Sequence, residues 1–261
     1  MKIGIIGGEG KMGGEILKLI EQSKDIVLSG VVVKTSSKNL GRPVLYSPEI
    51  IYSDNVDELC KCSEVIIEFT EPKTTLEVMA KASKHGIPLV SGTTGINQND
   101  FTKAVKTASN IPILWSANMS LGVNLVAKIL KFMAVNLDQN FDIEIQDMHH
   151  KNKLDAPSGT ALMLGRVIAD AKKLDFEKYA VLDRQTNQAK RKTNQIGFSS
   201  IRAGEIYGEH HISFIGKDES IEIVHRAHNR TLFASGAIRA AKWIYNKAPG
   251  LYSMQDLIEF E

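Results

Sequence analysis

Short apolar runs alternate with helical patterns from Lys2 to about Asn118, and this alternation predicts repeated βαβ units around a parallel sheet. Ile3, Ile5 and Ile6 open it. Val27 to Val33, Val65 to Thr70, Pro88 to Ser91 and Ile111 to Trp115 read as further strands, rich in branched residues and often closed by Gly, Ser or Thr. Ile50 to Tyr52 gives a fainter strand pattern. Between them, Met12, Ile16, Leu19 and Ile20 repeat at i, i+4, i+7 and i+8, which predicts a one-faced helix over Met12 to Glu21. Another helix is expected from Pro72 to His85, since Pro72 suits the first helical turn and Gly86 the position just past the last.

The period changes after a long helical stretch from about Gly122 to Val135. Phe141-Asp-Ile-Glu-Ile-Gln alternates apolar and polar positions, as do parts of His211-Ile-Ser-Phe and Ser220-Ile-Glu-Ile, the pattern of strands buried on one face. The expected second sheet is therefore mixed or antiparallel. A helix starting near Pro157 and a polar, mobile stretch from Asp183 to Asn194 interrupt it. A last helix, Leu232 to Lys247, carries Ile238, Ala241 and Trp243, and the pattern leaves open which layer it joins. The fold class is α/β: a Rossmann-type parallel-sheet domain plus an α+β domain with a mixed or antiparallel sheet. There is no internal repeat or low-complexity tract.

The 261 residues leave room for one large or two modest domains. Lys and Arg number 32 against 30 Asp and Glu, and a net charge of +2 gives no chain-wide positive field for nucleic acid. The polar stretch 183–194 has no aromatic residue and reads as a solvated loop, not a nucleic-acid patch. Cys60 and Cys62 cannot build a disulfide scaffold, and no Cys/His cluster has zinc spacing, so no metal is expected. The apolar run at the N-terminus is interrupted by Glu9 and Lys11, too early for a secretory segment, and no run of 18 apolar residues occurs. A cytoplasmic protein with no membrane partner is the expectation.

Gly7-Gly8-Glu9-Gly10-Lys11-Met12-Gly13 joins the first strand to the first helix, the setting that a dinucleotide fingerprint requires. Without side chains at Gly7 and Gly10, a pyrophosphate can approach backbone N–H groups at the positive end of the helix. The spacing is G-x-x-G-x-x-G, with Glu9 in the middle glycine position of the strict motif. The second strand ends Val31-Val32-Val33 and runs into Lys34-Thr35-Ser36-Ser37-Lys38, where an NAD-specific site would carry a carboxylate for the ribose. A cation and hydroxyls there suit a 2′-phosphate, so NADPH is expected to be preferred, with NADH possible. Ser91-Gly92-Thr93-Thr94-Gly95 and Ala117-Asn118-Met119-Ser120 each follow a strand at the carboxyl edge of the sheet. Hydroxyls of the first segment can approach a nicotinamide ribose and carboxamide.

His149-His150-Lys151-Asn152-Lys153-Leu-Asp155-Ala-Pro157-Ser158-Gly159-Thr160 begins after an alternating strand and ends by starting a helix. Histidine trades protons near neutral pH, and two cations stand close behind. Pro157 fits the first helical turn. Ser158-Gly159-Thr160 then offers backbone N–H groups and a hydroxyl to a carboxylate. The segment describes a pocket for a small anionic substrate with proton donors beside it.

This string, H-H-x-x-K-x-D-x-P-S-G-T, resembles the signature of the 4-hydroxy-tetrahydrodipicolinate reductase family, also called dihydrodipicolinate reductase, of the lysine and diaminopimelate pathway. Gly7 to Gly13, Glu68-Phe-Thr70, Gly92-Thr-Thr-Gly95, Ala117 to Ser120, Arg202-Ala-Gly-Glu-Ile and Gly208-Glu-His resemble family segments in family order. The resemblance implies a nucleotide-binding domain from residues 1–120 and 228–261, an inserted substrate-binding and oligomerisation domain over 121–227, and a homotetramer built through the latter's sheet. It implies proton transfer by His149 and Lys153, and binding of a dicarboxylate substrate by His150, Gly159 and Thr160. The cofactor would lie on Gly7 to Met12, on Gly92, Thr93 and Thr94, and on Ala117, Asn118, Met119 and Ser120. Lys34 departs from the acidic residue of members that use NADH well. Two rivals stand beside this reading: another Rossmann oxidoreductase of amino-acid metabolism, and a non-catalytic NADPH-sensing regulator. An aldehyde dehydrogenase would need a catalytic cysteine, and Cys60 and Cys62 lie early, where ordinary packing or surface positions explain them.

Overall fold

The computed structural model describes residues 1–184 and 190–259, and the chain folds into two compact units, 1–121 with 230–261, and 122–229. In the first, β1 (Lys2–Ile6), α1 (Lys11–Glu21), β2 (Val27–Val32), β3 (Pro43–Val44), β4 (Ser47–Ser53), α2 (Val56–Cys62), β5 (Val65–Glu68), α3 (Pro72–His85), β6 (Leu89–Ser91), α4 (Gln98–Thr107) and β7 (Pro112–Trp115) follow one another. The second holds most of α5 (Leu121–Asn136), then β8 (Asp142–His149), α6 (Gly159–Ala171), α7 (Phe176–Tyr179), β9 (Ala180–Val181), β10 (Ile196–Arg202), β11 (Gly208–Ile215) and β12 (Ser220–Ala227). The chain rejoins the first unit through α8 (Thr231–Ile244) and β13 (Gly250–Tyr252).

Among the described residues the first sheet runs β13-β7-β6-β5-β1-β2-β4-β3, parallel throughout except for the β3–β4 pair. Its central strands are covered on both faces, which is why they read as unbroken apolar runs. Val65 and Ile67 of β5 enter one core cluster with Ile16, Leu17 and Ala237 of α1 and α8, while Ile66 enters the other with Val78 and Met79 of α3. The strand order reverses beside β1, with β2 on one side and β5 on the other, so the crevice outside the ends of β1 and β5 is a topological switch point. Gly7 and Phe69 stand at that edge.

The second sheet runs β12-β11-β8-β10-β9 and is mixed: β11 pairs antiparallel with β12 and β8, while β10 lies parallel to β8 and β9. Its core gathers Ile143, Ile145, Leu164, Ile168, Phe198 and Phe214 from the sheet and α6. No helix among the described residues is long and apolar enough to cross a membrane.

Pro157 is not in the first turn of α6. Ser158 is the N-cap, and its side chain accepts from the Ala161 N–H at 3.2 Å, so the proline stands just outside the helix, behind a cis peptide bond. Of the polar stretch 183–194, residues 185–189 lie outside the described residues. Its described flanks are tied to the sheet. Arg184 and Arg191 both pair with Glu144, and Arg191 also donates to the carbonyls of Ile143 and Gln195 at 2.9 and 2.6 Å. Guanidinium forks find acceptors at the sheet margin that a polarity pattern does not register. Cys60 is fully buried, and burial pushes its thiol up to about 11, which suits packing and not nucleophilic attack.

Candidate functional site

The glycine turn after β1 is built by close approach. Gly7 has φ +87°, and a Cβ there would lie 2.3 Å from the Phe69 carbonyl oxygen. A Cβ at Gly13 would lie 2.3 Å from the Gly7 carbonyl, so α1 can seat against the turn only without one. Gly10 is the N-cap of α1, extended and with no side-chain cap bond. The N–H groups of Lys11, Met12 and Gly13 thus have no acceptor within the helix, the condition for holding an anion. Gly8 packs against Val31, and Met12 is half-buried against the core. Glu9 accepts from the Ser37 hydroxyl at 2.5 Å and the Asn39 amide at 2.6 Å, tying the turn to the loop after β2.

A cavity of about 540 Å³ opens beside this turn, and Lys34 lines it. The other charged lining residues are Lys81, Glu9, Asp54, Glu71 and Glu77. Lys34 is exposed and pairs with Glu71 at 3.3 Å. Sequence reasoning reached Lys34 and Glu9 but missed Asp54, Glu71 and Glu77, which come from α3, its N-cap and a loop far from the glycine turn in the chain.

At the next strand ends the organising group is Glu68, wholly buried at the end of β5. Its carboxylate accepts from the hydroxyls of Thr75 at 3.1 Å, Ser91 at 2.7 Å and Thr93 at 2.8 Å, and from Thr70. Thr93 also accepts from the Thr70 N–H at 3.0 Å. Its hydroxyl is therefore spent inside the fold and does not face the sheet edge as the sequence suggested. Gly92 stands so close to the Phe69 ring that a Cβ there would come within 2.0 Å of it, and Thr94 is exposed. In the segment after β7, Ala117 is exposed, while Asn118 accepts from the Ser120 N–H at 2.9 Å. Met119 and Ser120 are buried, and Met119 belongs to the core beneath α8, where a Cβ at Gly236 would lie 1.8 Å from its carbonyl oxygen.

In the second unit, β8 turns Ile143, Ile145, Asp147 and His149 to the buried side, so the inward positions change from apolar to ionisable at its end. Asp147 is fully buried and His149 is 8% exposed. His149 Nδ1 lies 3.0 Å from the Asp147 carboxylate. The neighbouring strand β10 supplies a Ser200 hydroxyl at 2.5 Å and the Arg202 guanidinium at 3.1 Å to the same carboxylate. Burial alone would raise this carboxyl; the bonds from His149 and Ser200 and the charge of Arg202 outweigh it and hold Asp147 well below the usual range. His210 packs edge-on against His149, with ring centroids 5.4 Å apart, and its Nε2 lies 3.2 Å from the Ser158 hydroxyl. Burial pushes the His210 imidazole down to about 3, so it stays neutral.

His150 follows at the strand end, and its carbonyl accepts from the Lys153 N–H at 3.1 Å. The Lys153 ammonium meets the Asp155 carboxylate at 2.8 Å. Gly159 and Thr160 open α6 one and two residues beyond the Ser158 cap. The sequence missed Asp147 and Ser200, and although Arg202 and His210 stand in segments it singled out, it gave them no role and did not bring the four together. For Asp147 a signal existed: it keeps the i, i+2 alternation that makes Ile143 and Ile145 core residues.

The family model described as Dihydrodipicolinate reductase, N-terminus, matches residues 1–119, and that described as Dihydrodipicolinate reductase, C-terminus, matches residues 122–258. A 4-hydroxy-tetrahydrodipicolinate reductase of Wolbachia sp. subsp. Brugia malayi is 42% identical over 99% of this chain and 99% of its own. That of Syntrophotalea carbinolica is 38% identical over 99% and 98%. Among solved structures, a dipicolinate-bound dihydrodipicolinate reductase from Paenisporosarcina sp. TG-14 shares the fold with a TM-score of 0.82, at 22% identity over 99% of both chains.

Proposed function

The chain belongs to the dihydrodipicolinate reductase family, and on that premise we propose how its residues divide the work. It is an oxidoreductase of lysine and diaminopimelate biosynthesis acting on 4-hydroxy-tetrahydrodipicolinate. Held at the glycine turn from Gly7 to Met12, NAD(P)H would supply the hydride for C4 of the substrate ring, which, with one proton taken up and the 4-hydroxyl lost as water, gives tetrahydrodipicolinate. The glycine turn supports such a cofactor, because the lack of a Cβ at Gly7 and Gly13 lets α1 seat closely on the strand end, where its first-turn amides stand uncapped.

In this reading residues 1–120 and 228–261 bind the nucleotide and 121–227 bind substrate. The turn from Gly7 through Gly8, Glu9 and Gly10 borders the pyrophosphate and the uncapped amides of Lys11 and Met12 donate to it, since the Gly7 and Gly10 N–H groups donate to the carbonyls of Val32 and Gly7. Lys34 meets the 2′-phosphate, so NADPH is preferred and NADH is accepted. Backbone groups of Gly92, Thr93 and Thr94, and of Ala117, Asn118, Met119 and Ser120, border the nicotinamide end. His149 and Lys153 deliver the proton and offset the charge that hydride brings, while His150 and the α6 amides at Gly159 and Thr160 hold the carboxylates.

One observation carries the reading best: His149 is buried with its Nδ1 committed to Asp147, which leaves Nε2 as the atom that trades a proton. A regulator that only senses nucleotide has no use for that arrangement. The test is nucleotide oxidation at 340 nm with enzymatically generated substrate, dipicolinate serving as inhibitor. His149→Ala and Lys153→Ala are each expected to lose about 100-fold or more in kcat; full kcat in both defeats the assignment. The soluble enzyme works in the cytoplasm as a homotetramer formed through the second sheet. Exposed Ile215, Ile221 and Val224 on β11 and the edge strand β12 support that interface. Light scattering that returns a monomeric mass contradicts it.

A further inference from the structure

We propose that Asp147 is a positioning residue for the reduction: it holds the His149 ring with Nδ1 protonated and supports positive charge on that ring, so that Nε2 is the proton-carrying atom. The inference rests on the assignment of proton transfer to His149.

Three features carry it. The two side chains stand at successive inward positions of β8, 3.0 Å apart, in an interior where the carboxylate has no water to turn to. The carboxylate is itself fixed, because Ser200 and Arg202 lie opposite Asp147 and His149 in the parallel register of β10 and both donate to it. An anion so held accepts from Nδ1 without turning away, and a buried imidazole so bonded keeps one tautomer. On the far side, His149 Nε2 faces Gly208, where a Cβ would lie 2.9 Å away; glycine leaves that nitrogen room. The other groups around the ring do not compete for Nδ1. His210 of β11 meets the ring edge-on and is held neutral by burial, with Lys153 adding to that effect, and the Arg202 guanidinium is a donor only.

Arg202 also donates to the Asp155 carbonyl at 2.6 Å, so Asp147 has a structural duty as well, and the test must separate the two. Asp147→Asn keeps the shape and removes the charge. The expected result is a loss in kcat of about 10- to 100-fold with KM for substrate and nucleotide little changed. A limb of the pH profile of kcat moves, whereas a purely structural loss scales the whole profile down. In a His149→Ala background the same change adds nothing. If Asp147→Asn leaves kcat and the profile unmoved while His149→Ala loses activity, this inference falls and the wider reading stands; if His149→Ala keeps full kcat, the wider reading fails first. Should the asparagine variant not fold, long-range ¹H–¹⁵N correlation on the unaltered protein decides. Protonated Nδ1 with bare Nε2 above the limb supports the proposal, and the opposite tautomer overturns it.

Discussion

The Lys34 ammonium stands 3.3 Å from both carboxylate oxygens of Glu71, so the cation proposed to meet a 2′-phosphate is already shared with an anion of the same cavity. On that proposal, binding NADPH exchanges one partner of Lys34 for another. Both side chains are more than half exposed, and such a pair is worth no more than about 1 kcal/mol. Glu71→Gln is accordingly expected to raise the ratio of kcat/KM for NADPH over NADH by about two- to fivefold, and Lys34→Ala to lower it. Steady-state assays with both nucleotides read this directly. An unchanged ratio in both variants removes Lys34 from cofactor choice.

Glu68 carries a different consequence, because four hydroxyls converge on one buried carboxylate and two of them come from β6 and the loop that follows it. Glu68→Gln replaces an acceptor oxygen with an amide donor, and Thr93 already accepts from Thr70 and has little capacity to adapt. We expect a cost of about 1–3 kcal/mol and a fall in Tm of several degrees. Since Gly92, Thr93 and Thr94 lean on this hub, nucleotide KM rises more than substrate KM. A thermal melt and the two KM values check it.

How much of this was legible follows from what each pattern encodes. The central parallel strands were readable because burial on both faces makes them continuous apolar runs, as Val65, Ile66 and Ile67 illustrate. Two other strands were not: the edge strand β13 has three residues, and β10, between β8 and β9, mixes Gly, Ser and Arg with its apolar positions. α2 and α4 did have start signals, since Asn55 and Asn97 cap them through side-chain bonds to N–H groups of their first turns. The histidine motif was readable as a string. The groups that hold it were not, because Ser200, Arg202 and His210 reach Asp147 and His149 only through strand pairing across some fifty to sixty residues, and no local period records that register.

Gly13 allows a test of the nucleotide half that leaves the second unit untouched. A Cβ there would lie 2.3 Å from the Gly7 carbonyl oxygen and 2.6 Å from the Gly8 α-carbon, and both are backbone, which cannot swing aside as a side chain does. Gly13→Ala therefore lifts α1 from the turn and displaces the amides of its first turn. Nucleotide affinity is expected to fall about tenfold or more, by loss of about 1.4 kcal/mol or more. Exchange protection of β8 and β11 stays as it was. Calorimetric titration with NADPH and NADH reads the first effect, and unaltered affinity for both would mean the turn only packs.

His210 sets the acid limit of the second unit. It is 4% exposed, and burial, reinforced by repulsion from His149, takes its imidazole from an ordinary 6.5 down to about 3. A depressed histidine favours the folded state only while both states are neutral. As pH falls through 6.5 the unfolded chain takes up a proton that the folded chain refuses, so stability is complete above that value and declines down to about 3. At about 1.4 kcal/mol per unit, and with no other variable changed, acidification from about pH 6.5 to 5 costs about 2 kcal/mol from this residue. His225, also lowered by burial, adds in the same direction. Asp147 acts in a separate window: its depressed carboxyl contributes above about pH 4 and loses its contribution only below, so it does not mask the histidine slope. Opening free energies from hydrogen exchange of β8 and β11 amides, corrected for intrinsic rates at each pH, should fall over this range. In His210→Gln, whose amide reaches Ser158 without titrating, the slope should flatten by about one proton. A slope equal in both proteins would show that some other group sets the acid limit.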